Sequence, residues 1–271
     1  MKRRNIVCAA ALGAALGATP VAAQDTDTTT AEFEKFRAVM EEANPAELFE
    51  LKGEELWRTR RGPKNASLEK CDLGLGPGVV KGAYVQTPRY FPDVGRVMDI
   101  EARVVHCMIT LQGFTYEELA KQPFSTETRT PDVVSIVTFI AAQSKGMKFD
   151  APQSNAQERE AYELGKAIFF HRAGAWDLSC ASCHGADGKR IRTQQLPNFT
   201  NPQQAARGVL GWPGYRMTGG VMHTLQWRMN DCFRQQRFPE PKYVSEAITA
   251  LLTYLTVNAN GTVYKGPGIK R

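Results

Sequence analysis

Cys180-Ala181-Ser182-Cys183-His184 is the stretch of this chain whose residue types and spacing most plainly suit chemistry. Two thiols three residues apart, followed at once by an imidazole, form the attachment signature of a covalent c-type haem. The thiols add to the two vinyl groups of the porphyrin, and His184 reaches the iron from the proximal side. All three groups must meet one face of one macrocycle, which is why the spacing is so short. The alternative for a C-x-x-C pair is a zinc or redox site. A four-cysteine zinc site needs a second such pair, and the sequence contains none. The sixth iron ligand stays open at this level. Met217, Met222, His223, Met229 and Cys232 all lie downstream, methionine being the usual choice in an electron-transfer haem protein. His223 reads equally well as a core or surface histidine.

Cys232 needs its own account. It sits in Gln226-Trp227-Arg228-Met229-Asn230-Asp231-Cys232-Phe233-Arg234, with Arg237 close behind. Neighbouring cations favour a thiolate, so a lowered thiol pKa is expected here. If the segment is helical, Arg228 lies one turn before Cys232 on the same face. Between residues 185 and 240, eight Lys and Arg stand against Asp187, Asp231 and Glu240, a net of +5. Such a region suits an anionic substrate or an acidic partner; the plainer alternative is a solvated basic surface.

The 271 residues allow one or two domains. With 42% hydrophobic and 23% charged residues, composition excludes a disordered, collagenous or many-span membrane chain. Residues 1–23 read as a secretory signal: Lys2, Arg3 and Arg4, an apolar run from Ile6 to Ala18, and Val21-Ala22-Ala23 before Gln24. The run is too short to span a bilayer, so a periplasmic chain, cleaved before Gln24 and not held in the membrane, is expected. Cleavage takes the net charge from +6 to +3 and removes Cys8, leaving five cysteines. An odd number in an oxidising compartment calls for an explanation.

The elements that must position these residues are read as short helices joined by long loops. Gln24–Thr30 reads as a loose tail and Ala31–Ala43 as a helix. A second helix runs to about Trp57, with Asn44 as N-cap, Pro45 first and Glu47 as reciprocal cap. Residues 58–92 read as loop, Thr115-Tyr116-Glu117-Glu118 as a capping box, and Thr130-Pro131 as the start of a strong helix. Polar residues and Pro152 between Lys145 and Asn155 place a boundary near 150. Gln157–Phe170 is then helical, 174–240 mostly loop, and Tyr243–Val257 a closing helix. Loops this long suit a chain in which a large cofactor fills space that side chains would otherwise fill. The Gly165 helix before the haem motif and the Tyr254 helix after it resemble the crossing first and last helices of the cytochrome c fold.

A shift of 112 residues lays Gly53-Glu54-Glu55-Leu56-Trp57 on Gly165-Lys166-Ala167-Ile168-Phe169, Cys71 on Cys183, Leu68 on Cys180 and Asp72 on His184. The first half therefore reads as a cytochrome c-like domain whose haem motif has lost one cysteine and the histidine. After a gap, Arg103-Val104-Val105-His106-Cys107 matches Arg228-Met229-Asn230-Asp231-Cys232 as R-x-x-x-C. Cys71 and Cys107 would then flank an absent haem and are expected to pair as a disulfide; two unrelated buried thiols are the alternative. That pairing leaves Cys232 alone. The expected architecture is mainly α: two tandem cytochrome c-like domains, 24–150 without haem and 151–271 with one covalently bound haem c.

These features together resemble the SoxA family, the catalytic cytochrome subunits of L-cysteine S-thiosulfotransferase. The resemblance rests on the tandem halves, Cys180-Ala181-Ser182-Cys183-His184, Gly211-Trp212-Pro213 and above all Arg228-Met229-Asn230-Asp231-Cys232. With no C-x-x-C-H around Cys71, the chain resembles the single-haem type. The resemblance implies that Cys232 is the axial ligand opposite His184 and becomes a persulfide, and that Arg228 binds the sulfur substrate. It implies a small cytochrome partner, SoxX, and a sulfur carrier, SoxYZ, whose cysteine is joined oxidatively to thiosulfate while two electrons leave through haem. Nucleic acid is not an expected partner. Three other readings compete: a plain electron-transfer cytochrome with Met229 or Met222 on iron, a peroxidase-like haem enzyme, and a scaffold for a partner.

Overall fold

The computed structural model describes residues 26–191 and 194–270. The expected signal segment and its cleavage point lie outside them. The chain divides after Val39. Helix α1 (Thr26–Glu41), whose last two residues belong to the second unit, begins five residues before the expected start, so 26–30 are helical and not a loose tail. No helix among the described residues is long and apolar enough to cross a membrane.

The second unit, from Met40 onward, holds α2 (Ala46–Arg58), α3 (Ile100–Cys107), α4 (Tyr116–Ala120), α5 (Asp132–Ala142), α6 (Ala156–Phe170), α7 (Cys180–His184), α8 (Pro202–Val209), α9 (Leu225–Gln235) and α10 (Glu246–Val257). Short strands join them. β1 (Arg89–Phe91) pairs antiparallel with β2 (Arg96–Met98), and β3 (Arg190–Ile191) with β4 (Gln194–Gln195). In the third sheet β5 (Gly214–Arg216) lies between antiparallel β6 (Val221–His223) and parallel β7 (Gly268–Lys270). Among the described residues the architecture is thus mainly helical, with three small sheets; the sequence reading placed β1 and β3 to β6 in loop and assigned nothing to β2 and β7.

Two helix pairs organise the unit, α2 with α5 and α6 with α10. Each crosses at a glycine. A Cβ on Gly53 would collide with the Ser135 carbonyl oxygen and with Phe139; one on Gly165 would collide with the Ala250 carbonyl oxygen and with Tyr254. Backbone can approach backbone this closely only where a side chain is missing. The repeat seen in the sequence is therefore a repeat of crossings. It extends to α3 and α9, which each carry cysteine as their eighth residue, Cys107 and Cys232. The side chains of Asp99 and Thr224 cap them, accepting from backbone N–H groups of their first turns.

The two N-termini meet in a buried polar cluster. Gln226 Nε2 donates to both Asp99 carboxylate oxygens, at 3.0 and 2.8 Å. Thr249 Oγ1 donates to Asp99 Oδ2 at 2.8 Å, and the Tyr243 hydroxyl donates to Glu101 Oε1 at 2.8 Å. Acidic groups at helix N-termini face the positive ends of the dipoles. Burial outweighs this at Glu101 and pushes its carboxyl up to about 8.

One apolar core runs through both halves, from Trp57, Leu68 and Met98 to Phe169, Leu251 and Tyr254. The segment around the expected boundary takes part in it. Phe149 and Ala151 are buried, and the Phe149 N–H donates to the Thr262 carbonyl at 3.0 Å. In the first half Leu68 and Cys71 are buried where the second half has Cys180 and Cys183. Cys71 and Cys107 are joined as a disulfide, with their Cα atoms 5.7 Å apart.

The local readings divide on capping and on turns. Thr115 and Glu118 form the expected capping box. Asn44 Oδ1 accepts from the Ala46 N–H at 3.0 Å, but Pro45 precedes the helix and Glu47 gives no reciprocal bond. The Asn44 amide instead donates to Glu41 and to the Pro267 carbonyl. The last helix starts at Glu246, not Tyr243. Val244 has a φ of 51°, and its N–H donates to Gln226 Oε1, so the polar cluster claims the residues that would have made the first turn. Residues 174–240 hold α8 and α9 as well as loops.

Candidate functional site

Helix α7 is a single turn built by its own cap. Ser179 accepts from the Ser182 N–H at 3.1 Å, and the Ser179 N–H donates back to Ser182 Oγ at 2.9 Å. One helical turn puts Cys180, Cys183 and His184 at i, i+3 and i+4 on one face. The His184 ring is oriented by Nδ1, which lies 2.8 Å from the Pro197 carbonyl oxygen. A carbonyl accepts only, so Nδ1 carries the proton and Nε2 is left with its lone pair for a metal. Phe199 packs on the ring at 5.3 Å. Burial pulls the His184 pKa down, which keeps the imidazole neutral and fit to ligate.

His184 and Cys180 open into a cleft of about 210 Å3. Phe169, Phe199, Trp212, Leu251 and Leu255 give it apolar walls. Helix α9 contributes Arg228, Met229 and Cys232, and Gln236 follows at its C-cap. Arg207, Arg228 and Lys270 bring three cations, and no carboxylate is found among the described residues that line it. Gln236 Oε1 is buried there without a hydrogen-bond partner. An apolar slot with two thiols, one oriented imidazole and cations fits a haem with its two carboxylates. No group of three or more His, Cys, Asp or Glu among the described residues is placed to hold a metal ion.

The structure sorts the five ligand candidates. Met217 is exposed, and Met222 is fully buried in a separate cluster with Ala46 and Val134. His223 stacks on Trp227 at 3.6 Å and lines a different hollow. Only Met229 and Cys232 of the five line the cleft. In the first half the eighth-position cysteine, Cys107, bonds to Cys71, the counterpart of Cys183. Cys232 holds the same position on α9 and lines the cleft with Cys180 and His184.

The thiol itself departs from the expectation of a lowered pKa. Burial pushes the Cys232 pKa up, and Arg228 offsets this only in part. Arg228 Nη1 donates to Asp231 Oδ2 at 3.0 Å, and Arg234 Nη2 donates to Asp231 Oδ1 at 2.7 Å. Arg237 lies over the Trp176 ring at 5.7 Å. Much of the positive charge counted in the sequence is therefore spent on a carboxylate and a ring. Cys180 is likewise pushed up to about 12, mainly by burial. Lys270 was missed by the sequence reading. It lies far along the chain, and only the parallel pairing of β7 with β5 brings it to the cleft, 5.4 Å from the centre of the Trp212 ring.

Residues 52–149 match the family model for the SoxA/TsdA cytochrome c domain. The L-cysteine S-thiosulfotransferase subunit SoxA of Hydrogenophilus thermoluteolus is 48% identical over 99% of this chain and 100% of its own length. The chain belongs to the SoxA family. A second SoxA relative, from Hydrogenobacter thermophilus, is 30% identical over 83% of each chain. The crystal structure of SoxXA from P. pantotrophus superposes with a TM-score of 0.69 at 26% identity, covering 84% of this chain and 79% of that one. The matched cytochrome c domain, 52–149, is the half without a C-x-x-C-H motif. In SoxA terms the Arg228–Cys232 pair lies on the helix that repeats Arg103–Cys107.

Proposed function

We propose that this chain is the catalytic subunit of a periplasmic L-cysteine S-thiosulfotransferase, which joins thiosulfate to a cysteine of a sulfur-carrier protein. The carrier thiol and thiosulfate form one S–S bond, releasing one proton and two electrons. The observation that carries the reading is the cleft where the haem motif, Cys232 and Arg228 converge.

Cys180 and Cys183 would hold one haem c covalently, with His184 and Cys232 as the residues that would bind its iron; the haem would supply a route for the electrons, taken one at a time. Arg228 offers a planar, permanently charged fork to the thiosulfate oxygens. Asp231 holds that fork in place. Cys232 supplies a sulfur for chemistry that a methionine ligand lacks, as a persulfide acting as nucleophile or sulfur donor. The apolar walls keep water from the S–S bond as it forms. A single haem is favoured because the first half fills the corresponding place with Leu68, Cys71 and the Cys71–Cys107 disulfide. The paired glycine crossings favour tandem cytochrome c-like domains, 24–150 and 151–271. The structural likeness to SoxXA favours a SoxX-type cytochrome as heterodimer partner, with a SoxYZ-type carrier as acceptor. The signal-like residues 1–23 favour export and cleavage before Gln24.

The test is near-infrared magnetic circular dichroism of the oxidised holoprotein with thiosulfate turnover in the presence of both partners. A His/thiolate-type charge-transfer band and loss of turnover in Cys232→Ala and Arg228→Ala are expected. A His/Met band with full turnover in both variants would return the protein to plain electron transfer through Met229.

A further inference from the structure

Asp99 is buried, only 5% exposed, and takes no part in the chemistry above. It is the N-cap of α3, in the haem-free half, yet its bonds are shared between both halves. Its Oδ1 accepts from the Glu101 and Ala102 N–H groups of its own helix, at 2.9 and 3.2 Å. Gln226 Nε2, in the first turn of α9, donates to both oxygens, and Thr249 Oγ1 of α10 donates to Oδ2. Gln226 is also held at its other polar atom, where Oε1 accepts from the Val244 N–H at 3.1 Å.

The two repeats are unlike at this point. Aligning Arg103 with Arg228 sets Asp99 against Thr224 and Glu101 against Gln226. Thr224 caps its own helix by accepting from the Trp227 N–H, whereas Asp99 caps α3 and also grips the first turn of α9. A single hydroxyl oxygen cannot receive donors from three elements at once; two carboxylate oxygens can.

The grip matters because α9 has less footing than its neighbour. It buries three of its eleven residues, Gln226, Met229 and Asp231, while α10 buries nine of twelve. Met229 lines the haem cleft, and Asp231 bonds within its own helix, to Arg228, Arg234 and Gln235. Gln226 instead reaches out of the helix, to Asp99 and to the Val244 backbone. Arg228 lies two residues beyond Gln226 and Cys232 six, about 9 Å along the axis. A helix moves as a unit, so a slip of the first turn is carried to both.

Given the roles proposed above for Arg228 and Cys232, on which this rests, we propose that Asp99 is a positioning residue for the sulfur chemistry: by holding Gln226, the haem-free half fixes α9, and with it Arg228 and Cys232, at the haem cleft. The half that carries no haem motif thereby contributes to the site without touching substrate.

Hydrogen exchange of the holoprotein, read by mass spectrometry on peptides from α5, α6 and α9, measures the grip. Asp99→Asn turns one acceptor oxygen into a donor facing two donors. It should speed exchange in α9 at least tenfold and leave α5 and α6 within threefold of the parent. Gln226→Met cuts the same link from the α9 side with the α3 cap intact and should act alike; it keeps the test valid if Asp99→Asn does not fold. Thr249→Val removes a bond to Asp99 without touching α9, and α9 exchange should stay within threefold. The near-infrared His/thiolate band of the oxidised holoprotein should shift or weaken in the first two variants and match the parent in the third. Exchange that rises equally in all three helices, or as much in Thr249→Val, overturns the proposal, as does an unchanged α9 in both Asp99→Asn and Gln226→Met. Faster α9 exchange with an unchanged band also overturns it, since Cys232 would then not depend on the grip. A parent without the band removes Cys232 from the iron, and the exchange comparison still decides on Asp99.

Discussion

Removing the Cys71–Cys107 disulfide by substituting alanine at both positions tests whether the haem-free half is held by a covalent link. The two cysteines are 36 residues apart, and both are almost wholly buried. Closing a loop of that length removes about 13 cal/mol/K from the unfolded chain, or about 4 kcal/mol at room temperature. For a unit of this size each kcal/mol moves the melting temperature by about 2–4 °C, so a fall of roughly 8–16 °C is expected. Urea unfolding is followed by two probes, far-ultraviolet circular dichroism for the whole fold and Soret absorbance for the haem half. The common core predicts that both transitions move together, because Leu68 and Met98 pack in the same cluster as Phe169 and Tyr254. The Soret spectrum of the folded variant should be unchanged, since neither cysteine lines the haem cleft. A loss below about 1 kcal/mol would refute the loop-closure reasoning. A Soret transition that stays put while the dichroism shifts would refute the shared core.

Three further outcomes follow from individual contacts. Gly165→Ala should cost about 3 kcal/mol in urea unfolding, because the new methyl meets the Ala250 backbone carbonyl and neither partner can move aside; a neutral substitution would mean the α6–α10 crossing is looser than it looks. Asp231→Asn should raise the KM for thiosulfate about tenfold, the equivalent of about 1.5 kcal/mol for a charged hydrogen bond, with a smaller effect on kcat, because Asp231 orients Arg228 without facing the substrate. An unchanged KM would remove Asp231 as a positioning residue. Glu101→Gln should flatten the pH dependence of stability. Burial keeps Glu101 protonated up to about 8, so the folded protein holds a proton that the unfolded chain releases from an ordinary carboxyl near 4.5. That contribution is complete below about 4.5 and is lost as pH rises toward 8. Wild-type stability that is level across this window would show that Glu101 ionises freely.

Much of the site was legible from residue order because its chemistry is local. Cys180, Cys183 and His184 fall within one helical turn, and Arg228 and Cys232 one turn apart on another, so spacing alone puts each set on one face. The glycine crossings and the Cys71–Cys107 pairing were legible for a different reason. A repeat states the same contact twice, and the second copy explains the first. Capping was readable at Thr115, while Asn155 with Glu158, an N-x-x-E pattern of the same kind, passed unnoticed.

Sequence alone determined which residue types stand together along the chain: the haem motif, the R-x-x-x-C helix and the duplicated halves. Tertiary structure decided what each of them experiences. It placed Met217, Met222 and His223 away from the cleft and left Met229 and Cys232 on its wall. It reversed the expected direction at the Cys232 thiol, because desolvation grows with burial while Arg228, Arg234 and Arg237 spread their charge over Asp231 and Trp176. It brought Lys270 to Trp212 across more than 50 residues of chain, a contact that only the parallel pairing of β5 with β7 creates. Spacing along the chain governs what lies within a turn or two of helix. Burial and long-range pairing depend on the whole packed unit, and these set the electrostatics of the site.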